Sequence, residues 1–138
     1  MTKVLLDTNI VIDLAQKRMP FFTDTVKIFK LINDKKIAGY VSATAATDIF
    51  YILQKTDGKE QTLLFLKKLF KVVDIICVDK LLILKALYSG WNDFEDAVQA
   101  QVAVENQIDM IITRNTNDFE KLTDIKVISP EKFIIHNS

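Results

Sequence analysis

The chain has 138 residues, 49% of them hydrophobic and 26% charged, with 18 basic against 18 acidic side chains and one histidine. That length suits one domain, spanning residues 1–138, that buries about two-thirds of its surface, and the composition excludes disordered and fibrous classes. The balanced charge excludes a basic nucleic-acid-binding coat, and no apolar run is long enough to span a bilayer.

In chain order, Lys3–Leu6 reads as a short buried strand, entered so directly from Met1 and Thr2 that no signal peptide is expected. Asp7-Thr8-Asn9 then supplies an Asx cap for a helix whose apolar residues are Ile10, Val11, Leu14 and Ala15, ended by Pro20. Apolar residues at 22, 26, 29 and 32 predict a second helix over Phe22–Lys36. Ile37–Val41 reads as a strand. Thr44–Lys55 reads as a helix with Ile49, Ile52 and Leu53 on its buried face and Phe50 and Tyr51 in the core. After Thr56-Asp57-Gly58 comes a helix over Gln61–Phe70. Val72–Val78 is a β-branched run expected to form a buried strand, with Cys77 as a small buried hydrophobe suited to a reducing cytoplasm. Asp79 caps a helix through Tyr88, and Ser89-Gly90 ends it. Asp93–Gln107 is a helix with Ala97, Ala100 and Val104 as its apolar stripe. Asp109–Thr113 is a strand, Asn117–Leu122 a short helix and Lys126–Ile128 an edge strand, and Pro130 opens a last helical turn. Strands alternating with helices, several of them continuous apolar runs, predict a three-layer α/β fold around a mostly parallel sheet of four or five strands.

The acids carry the functional signal. Thirteen of the 18 are Asp, a hard-metal ligand and a poor helix former, whereas only Arg18 and Arg114 are arginines. Asp7, Asp48, Asp93, Asp96 and Asp118 fall at strand ends or helix starts, and the carboxyl edge of a parallel sheet is where sites form. Carboxylates gathered there repel one another and call for a counter-charge, for which Mg²⁺ or Mn²⁺ is suited. Each has a plainer reading. Asp7 and Asp93 also suit helix caps, Asp118 could cap the turn that follows it, and Asp48 could lie exposed. Asp13, Asp24, Asp34, Asp57, Asp74, Asp79, Asp109 and Asp124 read as surface or capping residues. The two helices over 79–107 form a hairpin that would carry Asp93 away from the carboxyl edge unless the first is short or tilted.

Four segments, in order, resemble the signatures of PIN-domain ribonucleases: Leu5-Leu6-Asp7-Thr8-Asn9-Ile10, Thr47-Asp48-Ile49, Asp93-Phe94-Glu95-Asp96-Ala97 and Thr113-Arg114-Asn115-Thr116-Asn117-Asp118-Phe119. The resemblance spans Lys3 to about Ile128. It implies a parallel sheet flanked by helices, a Mg²⁺- or Mn²⁺-dependent endoribonuclease centre, often a homodimer, and for many small members a VapC-type toxin held inactive by an antitoxin. It places Asp7, Asp96 and Asp118 on the metal, Asn9 and Asn115 in support, and Asp93 as a further acid at the mouth. It also implies that Asp96 does reach the site. The family usually carries Glu where this chain has Asp48, one methylene shorter, which implies contact through water.

Around that set, Thr113 either orients Asp7's loop or ends a strand. Arg114 either touches phosphate or lies on the surface. Trp91 either stacks an unpaired base or covers the hairpin. The apolar surface around Phe21, Phe22, Phe29 and Phe65 serves either the core or a partner. One histidine, His136 in a polar tail, argues against zinc hydrolysis and histidine acid–base chemistry. The competing functional readings are a non-catalytic nucleic-acid-binding or scaffold module on the same fold, and a phosphoacceptor receiver or aspartyl phosphatase. The last two want acids where Thr8 and Asn9 stand.

Overall fold

A computed structural model describes residues 1–137; Ser138, the last residue of the expected domain, lies outside the described residues. The strands are β1 (Thr2–Leu6), β2 (Ile37–Ser42), β3 (Asp74–Ile76), β4 (Met110–Ile112) and β5 (Lys126–Ile128). They form one all-parallel sheet in the order β3-β2-β1-β4-β5. The helices are α1 (Thr8–Gln16), α2 (Phe22–Asn33), α3 (Ala43–Asp57), α4 (Lys59–Leu69), α5 (Lys80–Leu87), α6 (Phe94–Glu105) and α7 (Pro130–His136), with a 3-10 turn over Thr116–Phe119.

Alternation along the strands divides the core in two. Val4 and Leu6 of β1, Val41 of β2 and Ile112 of β4 face a cluster with α1, α2, α3 and α7. Leu5 and Ile111 point the other way, into a cluster with Leu82 of α5, α6 and Phe119. Both faces of the central strands are therefore covered, which is why Val4–Leu6 of β1 and all of β4 read as unbroken apolar runs. The result is the expected three-layer α/β architecture.

The chain builds β2 and β3 on one side of β1, then crosses to lay β4 and β5 on the other. A crevice opens at such a reversal, beyond the carboxyl ends of β1 and β4. The Asp7 N–H donates to Ile112 O at 3.0 Å, fixing the end of β1 beside the end of β4.

Several local expectations are corrected. The strand over Val72–Val78 shrinks to three residues, because β3 lies at the sheet edge, where Val72 and Ile75 are exposed. Cys77 is exposed rather than buried. Ile52, Tyr51 and Val104 face solvent, not the core. Asp13, read as surface or cap, is fully buried. Trp91 is half-buried and packs edge-on against Phe119, 5.9 Å between ring centroids, as a cover for the hairpin. The hairpin does not carry Asp93 away: α5 is short, with eight residues, and Asp93 and Phe94, where α6 begins, lie in one cleft with Asp7 at the end of β1.

Candidate metal-centred active site

Asp7 sits where β1 ends and α1 begins. Its Oδ1 accepts the Thr8 N–H at 2.8 Å, so the residue is the N-cap of α1. Its Oδ2 accepts the Thr113 hydroxyl at 2.7 Å and is reached by Asn9 Nδ2 at 3.5 Å. Thr113 follows β4 and is fully buried, so the hydrogen bond joins the two strands at the crevice. The Asn9 amide also donates to Thr113 Oγ1 at 3.4 Å, while its Oδ1 accepts the Arg114 N–H at 3.3 Å. Thr113 Oγ1 in turn accepts the Asn115 N–H at 3.1 Å. The expected supporting residues Asn9, Thr113 and Asn115 thus form one polar net under Asp7.

The other acids arrive from α3, α6 and the 3-10 turn. Asp93 is the N-cap of α6, its Oδ1 accepting the Asp96 N–H at 2.9 Å. Asp48 stands in the second turn of α3, and Asp118 in the turn after β4. Asp7, Asp48, Asp93, Asp96 and Asp118 all line a single open cleft of about 810 Å³. Sequence reasoning gave no site role to Glu95, Gln99 or Arg18, which also line the cleft. Glu95 lies inside the Asp93–Asp96 signature. Gln99 follows Asp96 by three residues and so shares its helix face. Arg18 follows α1.

Burial and charge crowding both act on the carboxyls. Burial pushes Asp7 above its ordinary value. Hydrogen bonds from Thr113, Thr8 and Gln99 pull it back, and the neighbouring Asp118 adds to the rise. Asp96 is pushed up to about 7, first by burial and then by Asp93, Asp7, Asp118 and Glu95. Glu95 is raised chiefly by Asp48 across the cleft. Such perturbed carboxyls in one cleft make it the candidate functional site. Buried Gln99 has one further peculiarity: its Oε1 has no hydrogen-bond partner among the described residues.

Among the described residues, no three His, Cys, Asp or Glu side chains are gathered closely enough to hold a metal ion between them. The expected ligands Asp7, Asp96 and Asp118 share a cleft rather than a ready cage. Hard carboxylate oxygens, one or two per ion with water completing the shell, are nevertheless the donor set Mg²⁺ takes. The raised carboxyls and the orphaned amide oxygen fit a cation with bound water.

Arg114 does not line this cleft. Its Nε donates to Asp13 Oδ2 at 2.7 Å and a second nitrogen to Oδ1 at 3.3 Å, and its guanidinium lies 4.1 Å from the centre of the Phe21 ring. Neither a phosphate contact nor a loose surface arginine describes it. His136 lies exposed on α7.

Comparison with known proteins agrees with this fold. Ribonuclease VapC1 of Aquifex aeolicus (strain VF5) is 24% identical over 136 residues, covering 95% of this chain and 92% of the relative. DNA-bound VapBC from Salmonella typhimurium superposes with a TM-score of 0.72 at 18% identity, over 94% of this chain and 99% of that one. VapBC2 from Rickettsia felis, bound to a DNA fragment from its promoter, gives 0.70 at 16% identity, over 91% and 97%. The sequence profile of the PIN domain matches residues 3–117, and the chain belongs to that family.

Proposed function

We propose that this protein is a divalent-metal-dependent endoribonuclease that hydrolyses RNA phosphodiesters in the cytoplasm as the toxin of a toxin–antitoxin pair. The observation that carries the reading is the convergence of Asp7, Asp48, Asp93, Asp96 and Asp118 on one cleft at the β1–β4 crevice. Its likeness to a ribonuclease and to VapBC assemblies supports the substrate class and an antitoxin partner. The family resemblance extends to a homodimer, which sedimentation tests.

Asp7, Asp96 and Asp118 would hold Mg²⁺ or Mn²⁺. When bound, such an ion supplies a water of lowered pKa and neutralises phosphate charge. Thr113, Asn9 and the Thr8 N–H hold the Asp7 carboxylate in one orientation, which keeps the site preorganised. Asp93 has one oxygen committed to the Asp96 N–H, leaving the other to position a water. Asp48 faces Glu95 across the cleft and serves the same end from the opposite wall.

The test is cleavage of single-stranded RNA with Mn²⁺. Asp7→Asn and Asp96→Asn are expected to lower the rate at least about a hundredfold, the scale on which removing one electrostatic stabiliser acts. Cleavage that survives both substitutions rejects the proposed centre. RNA binding without turnover, with no Mn²⁺ uptake by calorimetry, would instead assign the chain to a non-catalytic binding module.

A further inference from the structure

Six carboxylates line the cleft: Asp7, Asp48, Asp93, Glu95, Asp96 and Asp118. Among the described residues lining it, Arg18 is the one that carries a basic side chain. A phosphate approaching that acidic floor is repelled, so a nucleic-acid strand needs an anchor at the rim. The two arginines are not equivalent for this purpose. Arg114 is tied to the buried Asp13 and stacked on Phe21. Arg18 is exposed. Its Nε donates to Gln16 Oε1 at 3.0 Å, and no other nitrogen of its guanidinium has a partner among the described residues. The Gln16 amide donates to Thr56 Oγ1 at 3.3 Å, which holds the segment after α1 against the outer half of α3.

The middle of α3 presents an aromatic ring to the cleft. Asp48, Tyr51 and Ile52 stand three and four residues apart, share one helix face, and all line the cleft. Tyr51 is 67% exposed, an unusual setting for a large ring with a core within reach. A guanidinium for the backbone and an exposed aromatic ring for a base, lining one cleft, are the pair of features that holds single-stranded nucleic acid. Resting on the endoribonuclease reading, we infer that Arg18 and Tyr51 form the rim that grips the RNA strand. Arg18 takes a phosphate and Tyr51 stacks an unpaired base, so the substrate is single-stranded where it enters the cleft.

The test is fluorescence anisotropy of a labelled, mixed-sequence single-stranded RNA and of a hairpin duplex. Both are titrated in Mn²⁺ with full-length protein carrying Asp7→Asn to prevent cleavage. Adding Arg18→Ala is expected to weaken single-strand binding about tenfold and to lower the salt slope by about 0.7, the value of one single-strand phosphate contact. Arg18→Lys restores most of that affinity. Tyr51→Ala weakens single-strand binding about tenfold with the salt slope unchanged, Tyr51→Phe binds as the parent does, and duplex binding responds little to either change at 51. Both residues are exposed, and thermal melts establish that each variant is folded. Parent-like RNA binding by Arg18→Ala and Tyr51→Ala, in a protein whose unsubstituted form cleaves RNA, overturns the inference and leaves the endoribonuclease reading standing. Absence of both cleavage and binding in the unsubstituted protein overturns both. Substitutions that spare RNA binding but weaken capture of a protein partner overturn the inference and give the rim to that partner.

Discussion

Asp96 holds its proton in the folded chain up to about pH 7, against 3.8 for an unperturbed aspartate. Between those values the native state binds more protons than the unfolded one, so this group's contribution to stability falls as pH rises through the window and levels off above about 7. Urea melts of the metal-free protein should therefore show a midpoint that declines from pH 5 to 7, with Asp96→Asn flattening the decline. A midpoint that rises over that range would contradict the crowding of Asp96. At the proposed metal centre, a cation held by Asp96 would displace the same proton, so Mn²⁺ affinity should rise with pH. The residues behind this behaviour were only partly readable in advance. Asp7, Asp93, Asp96 and Asp118 sit in recognisable signatures. Glu95 stood in one of those signatures without a role of its own, and its coupling to Asp48 exists only once α3 and α6 face each other. Gln99 carries no charge to draw notice. Arg114 was assigned by its place in a motif, yet its partner Asp13 is 101 residues away in sequence.

At the level of elements, caps were the most legible feature. Asp7, Asp79 and Asp93, readable as caps in the sequence, each accept a backbone N–H at the start of the helix they open, as their side-chain chemistry favours; Ser42 and Ser129 do the same for α3 and α7 without having been read so. Strand limits were less so, since a three-residue edge strand such as β3 leaves little periodic signal and a β-branched run does not reveal which of its residues pair. The junction between α3 and α4 rests on Gly58, at φ +82° and ψ 160°, which ends one helix and starts the next. That region is almost closed to residues with a Cβ. A methyl group there would meet nothing within 4 Å, so the cost of Gly58→Ala is purely conformational, about 1–3 kcal/mol. Chemical denaturation measures it. A neutral substitution would mean the junction relaxes to another backbone conformation.

Across the whole molecule, the strand order decides where chemistry is available. Three-layer α/β architecture was readable from alternating apolar segments, whereas the order β3-β2-β1-β4-β5 was not, because hydrophobic periodicity marks burial but not neighbours. The Asp13–Arg114 pair joins α1 to the segment leaving β4, and thus braces the two walls of the crevice. With Asp13 fully buried, Arg114→Ala leaves a carboxylate without its partner and is expected to cost about 3 kcal/mol. The double variant Asp13→Leu, Arg114→Leu should recover most of it. Equal losses in single and double variants would show that the pair braces nothing.

Two of the acids in the cleft also latch helices, Asp7 for α1 and Asp93 for α6. Reactivity and foldedness are therefore soldered together at those positions, and an alanine scan would confound them. Asparagine keeps the hydrogen-bonding oxygen and serves as well as aspartate at a helix start, so it abolishes charge while the latch stays shut. Any inventory of dead alanine variants at 7 or 93 would overstate what those side chains contribute to turnover.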